Sequence, residues 1–552
     1  MRVSDLKYVS QQEVHMLTKK IKNNLPFATA LFILIGSMLV VLFHYANLKM
    51  GYDTDEIFTF GLSNSYFYEL FSSQYDKWHP SSDYFEFLTV NNTDKFRFDS
   101  VYYNQTQDVH PPLYYMIFHA VSSFLPNTFS KWIGIGINIV FYLLICLILY
   151  YLMNHLVKNK WVSLLAVALW GFSIGAISSV MFIRMYTMLT FGTILFTYIA
   201  ILFLQSKEIK LKNLLAIYGI SLVGILTQYY FLIAAFFISF VLCVFLMMLK
   251  KWKAIAAFTV TMLSSIASAI AIYPAMLNHI FSSYRGTSAF DSVSSDTQNN
   301  LSKYFDIINS SFFGGMVSYL LIFLFLVIVG GAVSHFVRKN LRESATDKLA
   351  TAITGWLGPL TILVAPALLY ILVIQKISPF QSGRYIYCVF PAFMTGIIYL
   401  VYISAKRVAA KEQFPTILIA SLCLSVTYQG FKNGNVEYLF SEQKTASNLV
   451  QEYSDNDVFL IINDEAEWRI IESIAELIHF KNIYPYSTNP KEIILPNEEK
   501  LMNQSSLVIY IDTSFDQNIM IEKIMNKYGF TGYEQLYYSG NVYEIIGYSF
   551  IK

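Results

Sequence analysis

Eleven stretches of this sequence are apolar over roughly the 17 to 25 residues that a helix needs to cross a bilayer, and few folds are open to such a chain. They lie near residues 27–46, 132–153, 161–182, 187–204, 214–229, 231–249, 254–274, 315–334, 349–375, 385–404 and 415–429, with the fifth and the last at the short end. The expected fold class is therefore an α-helical polytopic membrane protein with about 11 transmembrane helices. Composition agrees: 55% of the 552 residues are hydrophobic and 14% are charged, against a usual charged share of about 25%. A net charge of +2 excludes a nucleic-acid binder that works by overall basicity. The 45 Phe and 40 Tyr exclude a disordered chain.

Lysine and arginine set the expected orientation, because basic loops stay cytoplasmic. The N-terminal segment and alternate short loops hold 20 Lys and Arg, whereas the longer loops between them hold 10. Residues 1–26 are thus expected inside the cell, Pro26 to Tyr45 reads as a retained signal anchor, and the plasma membrane is the expected location. The apolar stretch 111–125 is too short to span and is assigned to the outer face as an interfacial or re-entrant helix. With that parity the membrane domain covers 27–429, the first outer loop 47–131, and the tail 430–552 lies outside. The tail is polar and is expected to form a small α/β domain. Its strands are expected near 458–462 and 507–511, its helices near 467–480 and 518–528, and a hairpin around Ser539-Gly540-Asn541. Cys146, Cys243, Cys388 and Cys423 all sit in apolar runs without metal or disulfide spacing.

Ionisable residues crowd the outer rim: the first outer loop has ten acids against five bases. Gly51-Tyr52-Asp53-Thr54-Asp55-Glu56-Ile57-Phe58 follows the first span directly. Its adjacent carboxylates fit either a helix N-terminus or a general base at the lipid boundary. Asp108-Val109-His110-Pro111-Pro112-Leu113-Tyr114-Tyr115 fixes the backbone with two prolines, and so aims Asp108 and His110 above the membrane. Arg184-Met185-Tyr186 and Ser382-Gly383-Arg384-Tyr385 lie at outer ends of later spans.

A first-loop Asp-Glu followed by HPPLYY resembles the GT-C membrane glycosyltransferases, in particular bacterial relatives of protein O-mannosyltransferases and of lipid A aminoarabinose transferases (glycosyltransferase family 39). The resemblance implies the GT-C fold and an inverting transfer of a monosaccharide from a polyprenyl phosphate to an outer-face glycan, lipid or protein acceptor. It makes Asp55 the general base, and Glu56 a group that orients the acceptor or supports Asp55. Arg184 and Arg384 become candidate phosphate clamps, with snorkelling anchors as the alternative. His110 and Asp108 become candidates for donor binding, with a structural hydrogen bond as the alternative. Tyr114, Tyr186 and Tyr385 either stack on sugar or prenyl chain or anchor the interface. Some GT-C enzymes carry a second acidic motif for a divalent metal. Arg184-Met185-Tyr186 stands there without an acid, so metal independence is favoured over a divalent metal, and no other cofactor is expected. A surface-polysaccharide polymerase or ligase remains an alternative enzyme. A permease or flippase is disfavoured because acids are nearly absent from the spans.

Overall fold

Inside a bilayer the backbone has no water to bond, so apolar runs of this length become helices. A computed structural model describes residues 3–68, 75–294, 300–337, 345–409, 411–441, 452–538 and 545–552. Helix α1 (Val3–Leu48) enters the first long loop, which holds α2 (Thr54–Asn64), α3 (Ser81–Leu88), α4 (Phe98–Thr106) and α5 (Leu113–Phe124). There follow α6 (Lys131–Val157), α7 (Lys160–Gly171), α8 (Ile174–Met181), α9 (Tyr186–Gln205), α10 (Leu211–Thr227), α11 (Tyr230–Met248) and α12 (Trp252–Ile272). A second long loop carries α13 (Ala275–Phe281), α14 (Tyr284–Ser294) and α15 (Leu301–Phe313), before α16 (Val317–Val337), α17 (Ala345–Ala352), α18 (Gly358–Ile377), α19 (Phe390–Val408) and α20 (Gln413–Asn433).

Among the described residues nine helices are long and apolar enough to cross a membrane. A tenth span forms if α7 and α8, bent by 59° at their junction, are taken together. The expected span at 214–229 is the 17-residue α10. The stretch 111–125 forms α5, which at 12 residues is about 18 Å long and cannot cross a core of about 30 Å.

The break between α7 and α8 positions chemistry. Ser173 caps α8, its Oγ accepting from the Ala176 N–H. At the other end of α8, Asn138 of α6 donates Nδ2–H to the carbonyls of Val180 (3.1 Å) and Phe182 (2.7 Å). A buried amide thus satisfies carbonyls freed where the helix stops. The turn Phe182-Ile183-Arg184 is fixed there, at the same face as the first long loop.

The tail forms a six-stranded sheet in the order β1-β3-β2-β4-β6-β5, from β1 (His79–Pro80), β2 (Val458–Asn463), β3 (Asn482–Thr488), β4 (Ser506–Asp512), β5 (Gly532–Tyr538) and β6 (Ile545–Ile551). β2 runs parallel to β3 and β4, while β4, β6 and β5 are antiparallel. The expected hairpin turn at Ser539-Gly540-Asn541 lies outside the described residues. β3 was not expected because Pro485 interrupts it; proline is tolerated there because β1 covers only Asn482 and Ile483 on that side. β1 comes from the first long loop, so the loop supplies an edge strand to the tail.

Side chains alternate in this sheet as a strand requires. Val458, Leu460 and Ile462 join the core that continues through Ile470, Ile471 and Ile474 into the helical domain. Phe459 and Ile461 pack with Ile524 and Tyr528 of the Gln517–Tyr528 helix in a second cluster. The tail and the first long loop therefore lie at one face of the helix bundle.

Within that face α2 lies close to α3, and a Cβ on Gly61 would meet the Phe87 ring at 1.9 Å. Gly61→Val is expected to lower stability by about 1–3 kcal/mol through overpacking, read as a drop in thermal midpoint in detergent. Adding Phe87→Ala should return part of the loss, and a double variant no better than the single one would refute the contact.

Candidate active site

Asp53, Asp55 and Glu56 do three different jobs within one helical turn. Asp53 is the N-cap of α2; its Oδ1 accepts the Asp55 N–H at 2.9 Å, and Glu56 Oε2 returns a bond from the Asp53 N–H at 2.7 Å. This reciprocal pair is a capping box. It occupies the first and last acids and leaves the middle one, Asp55, projecting from the helix.

The Asp55 carboxylate stands between two arginines from distant parts of the chain. Arg384, in the short helical turn ahead of α19, places Nη1 at 2.7 Å from Oδ2. Arg184, in the turn before α9, places Nη2 at 3.5 Å from Oδ1. The arginine side chains are 11% and 3% exposed, and that of Asp55 is 34% exposed, so the carboxylate is the open member of the group. Burial alone would raise its pKa. The positive charges of Arg184 and Arg384 outweigh that, with His110 and Arg285 adding to them, and hold the carboxyl at about 2. Asp53 beside it moves the opposite way, raised by burial and by the Asp55 charge.

Each arginine is itself held. Arg184 donates Nη1–H to the Tyr115 hydroxyl at 2.8 Å and to Thr59 Oγ1 at 3.3 Å. His110 Nδ1 lies 2.7 Å from Asp108 Oδ2. Its Nε2 lies 3.4 Å from Arg184 Nη2. Asp108 is lowered: burial works against ionisation, and His110 and Arg184 prevail. Arg384 lies over Phe182 and Tyr385, with centroids 5.3 and 5.1 Å away. Yet among the described residues Nε of both arginines is buried without a hydrogen-bond partner. Two guanidinium forks thus share one carboxylate and keep donors in hand.

Glu56 is fully buried and does not reach the open side. Its Oε2 accepts from Lys49 Nζ at 2.9 Å, with both side chains 0% exposed, and its Oε1 accepts from the Ile183 N–H at 2.7 Å. Lys49 also donates to the Tyr438 carbonyl at 2.6 Å. Burial pushes Glu56 up to about 7 against the pull of Lys49, and it pushes Lys49 down against the pull of Glu56. Of the two roles expected for Glu56, orienting an acceptor is therefore not available to it; it supports the turn that carries Arg184.

Tyr114 is a second correction. It is 0% exposed and hydrogen-bonded through its hydroxyl to Asn138 Oδ1 at 3.3 Å, so it cannot stack on a ligand. It braces the amide that fixes the Phe182 turn. Its neighbour Tyr115, one helical position on, is the tyrosine that meets Arg184. Tyr186 and Tyr385 do sit beside the arginines, edge to face at 6.1 Å, and Tyr230 continues the aromatic wall against Tyr385 at 5.5 Å.

Sequence reasoning missed Lys49, Tyr115 and a strap after α20. In that strap the Tyr438 ring stacks on Phe182 at 4.1 Å and Glu437 accepts from the Tyr387 hydroxyl at 2.7 Å. The only signal for Lys49 was a lysine at the outer membrane edge seven residues ahead of an acid. The site therefore joins Asp55, Arg184, Arg384, His110 and Asp108 at one open point, with Tyr186 and Tyr385 as its wall.

No family model matches the chain, and no curated protein matches its sequence. Among solved structures the chain is similar to ArnT from Cupriavidus metallidurans bound to undecaprenyl phosphate, with 11% identity, 94% of this chain and 98% of that chain covered, and a TM-score of 0.49. It is similar to ArnT of the same organism in the apo state at 9% identity, 95% and 98% coverage and a TM-score of 0.49. No residue role follows from likeness at this level.

The buried Lys49–Glu56 pair makes a testable demand. Lys49→Met leaves a carboxyl without its cation and is expected to cost about 3–5 kcal/mol, measured as thermal unfolding in detergent. Lys49→Met with Glu56→Gln keeps an acceptor for Ile183 and should recover much of that loss; no recovery would refute the pairing.

Proposed function

We propose that this chain is a membrane glycosyltransferase of the GT-C type that moves a monosaccharide from a polyprenyl-phosphate donor to an acceptor on the outer face, with inversion. The observation that carries this reading is Asp55 itself: a partly open carboxylate between two buried arginines that have donors to spare. A carboxylate alone could be a base, and arginines alone could hold any anion. Together, at the loop face of a bundle of spans, they provide for both halves of a displacement at a lipid phosphate.

The chemistry follows from those groups. The acceptor O–H or N–H gives its proton to an Asp55 oxygen as the acceptor atom attacks the anomeric carbon. The bond from that carbon to the phosphate oxygen breaks, and its electron pair stays on the phosphate. The leaving polyprenyl phosphate gains negative charge as it departs. Arg184 and Arg384 stabilise that charge through forked N–H donors that match phosphate oxygens. No metal is invoked, because guanidinium charge supplies the compensation. His110, oriented by Asp108, keeps Arg184 in place, and Tyr186 and Tyr385 bound the space beside the arginines.

The resting geometry adds a control step. Asp55 held at about 2 is ionised but a weak base. A donor phosphate competes for the same two guanidinium groups, and any N–H it takes relieves the field on Asp55. Proton affinity at Asp55 then rises when donor is in place.

The orientation proposed is an inner N-terminus, an outer tail and residence in the plasma membrane. The sorting of Lys and Arg supports it, as does the position of first loop and tail at one face. The acceptor class remains the broad one: glycan, lipid or protein.

Two measurements test this. With a radiolabelled polyprenyl-phosphate sugar and purified membranes, Asp55→Asn should lower the rate of transfer about 10²–10⁴-fold while donor still binds; full activity in that variant would overturn the assignment. Arg384→Ala should weaken donor binding by about 1.5–3 kcal/mol. The pH profile carries the control step. The free enzyme's carboxyl lies below its ordinary 3.8, and donor binding raises it. The acid limb of kcat should therefore fall at higher pH than the acid limb of kcat/KM, and coincident limbs would refute the relief of Asp55 by donor.

A further inference from the structure

The opposite end of the bundle holds a cleft that the catalytic reading does not use. α9 starts beside Arg184 and ends at Gln205, so the turns after α9 and after α11 lie at the far end from Asp55. Between them is a cavity of about 420 Å³ lined by Lys207, Lys250, Lys251 and Lys253, with Glu208 as its one acid. Lys251 is committed: its Nζ donates to the carbonyls of Leu204 (3.2 Å) and Ser206 (2.9 Å), which ties the two turns together. Lys207, Lys250 and Lys253 are exposed, and among the described residues no ion pair or side-chain hydrogen bond involves their ammonium groups.

A second, independent feature points into the same place. α12 begins at Trp252 with Lys251 as its N-cap, and no side chain caps it. The first-turn N–H groups of a 21-residue helix and the positive end of its dipole thus meet the lysines at the cleft. The remaining wall is apolar: Phe203 and Ala254 line it, and Ile209 and Trp252 are 43% and 61% exposed. Met247 and Met248, at the end of α11, are exposed as well. An anion held here would have hydrocarbon next to it.

We propose that this cleft binds the phosphate headgroup of an anionic phospholipid in the leaflet opposite the Asp55 face. Three uncommitted lysines and an open helix N-terminus hold the phosphate. Trp252 lies at the headgroup level where indoles settle, and the apolar wall receives the upper part of the acyl chains. A free phosphate would use the cations and leave that wall to water, so the lipid is the occupant the cleft fits. The proposal goes beyond the transfer reaction and does not depend on it, since the two sites lie at opposite ends of α9.

The test uses the full chain in phosphatidylcholine nanodiscs, titrated with phosphatidylglycerol and read by native mass spectrometry. Phosphatidylglycerol is expected to be retained at least about tenfold more strongly than added phosphatidylcholine. Lys207→Gln/Lys250→Gln/Lys253→Gln should erase the preference. Lys158→Gln/Lys160→Gln/Lys411→Gln, three lysines outside the cleft, should keep it. Should the first triple variant fail to fold, Lys253→Glu alone is expected to lower retention several-fold. Equal loss from both triples, absence of any preference, or displacement of the lipid by inorganic phosphate at matched concentration would each overturn the proposal.

Discussion

The site depends on how one buried carboxylate is satisfied. Glu56 is fully buried, and a charge in that position is tolerated only with a cation and hydrogen-bond donors around it. Lys49, the Asp53 N–H and the Ile183 N–H fill that requirement. Each partner belongs to a different part of the chain: the exit of α1, the start of α2 and the turn after α8. Satisfying Glu56 therefore fixes the separation between Asp55, which follows Asp53 by two residues, and Arg184, which follows Ile183 by one. The residue that holds the site together is thus the neighbour of Asp55, not Asp55 itself.

Much of this architecture could be read in the sequence. Runs of apolar residues gave the spans because length and hydropathy alone decide whether a helix can cross a bilayer. The short helix after the double proline was legible for the same reason, being too brief to cross. In the tail, the continuous apolar run Val458–Ile462 marked a strand buried on both faces. β3 stayed hidden because Pro485 argues against a strand until its neighbour is known to be only two residues long.

The site was legible in its charges and obscure in its packing. Acids and arginines at the ends of spans stand out because they are rare in such a chain. Which of Tyr114 and Tyr115 meets Arg184 depends on helix phase and on Asn138, a residue 24 positions from Tyr114. The division between Asp53, Asp55 and Glu56 was available in principle, since Asp-x-x-Glu ahead of an apolar run is a capping signature. Lys49 gave no such sign: a lysine past a span usually anchors in the interface, and only its pairing with Glu56 makes burial tolerable.

The contact between Lys49 and the Tyr438 carbonyl joins residues 389 positions apart, and that separation is also an interval of time. At a synthesis rate of about 5–20 residues per second, Tyr438 emerges about 20–80 seconds after Lys49. For most of that interval Asp55 faces at most one of its two arginines, since Arg384 is made only 54 residues before Tyr438. The centre of the molecule is thus closed only after the membrane-spanning helices have been made. A chain halted before α20 holds most of the described spans but lacks the Tyr438 carbonyl that accepts from Lys49 Nζ.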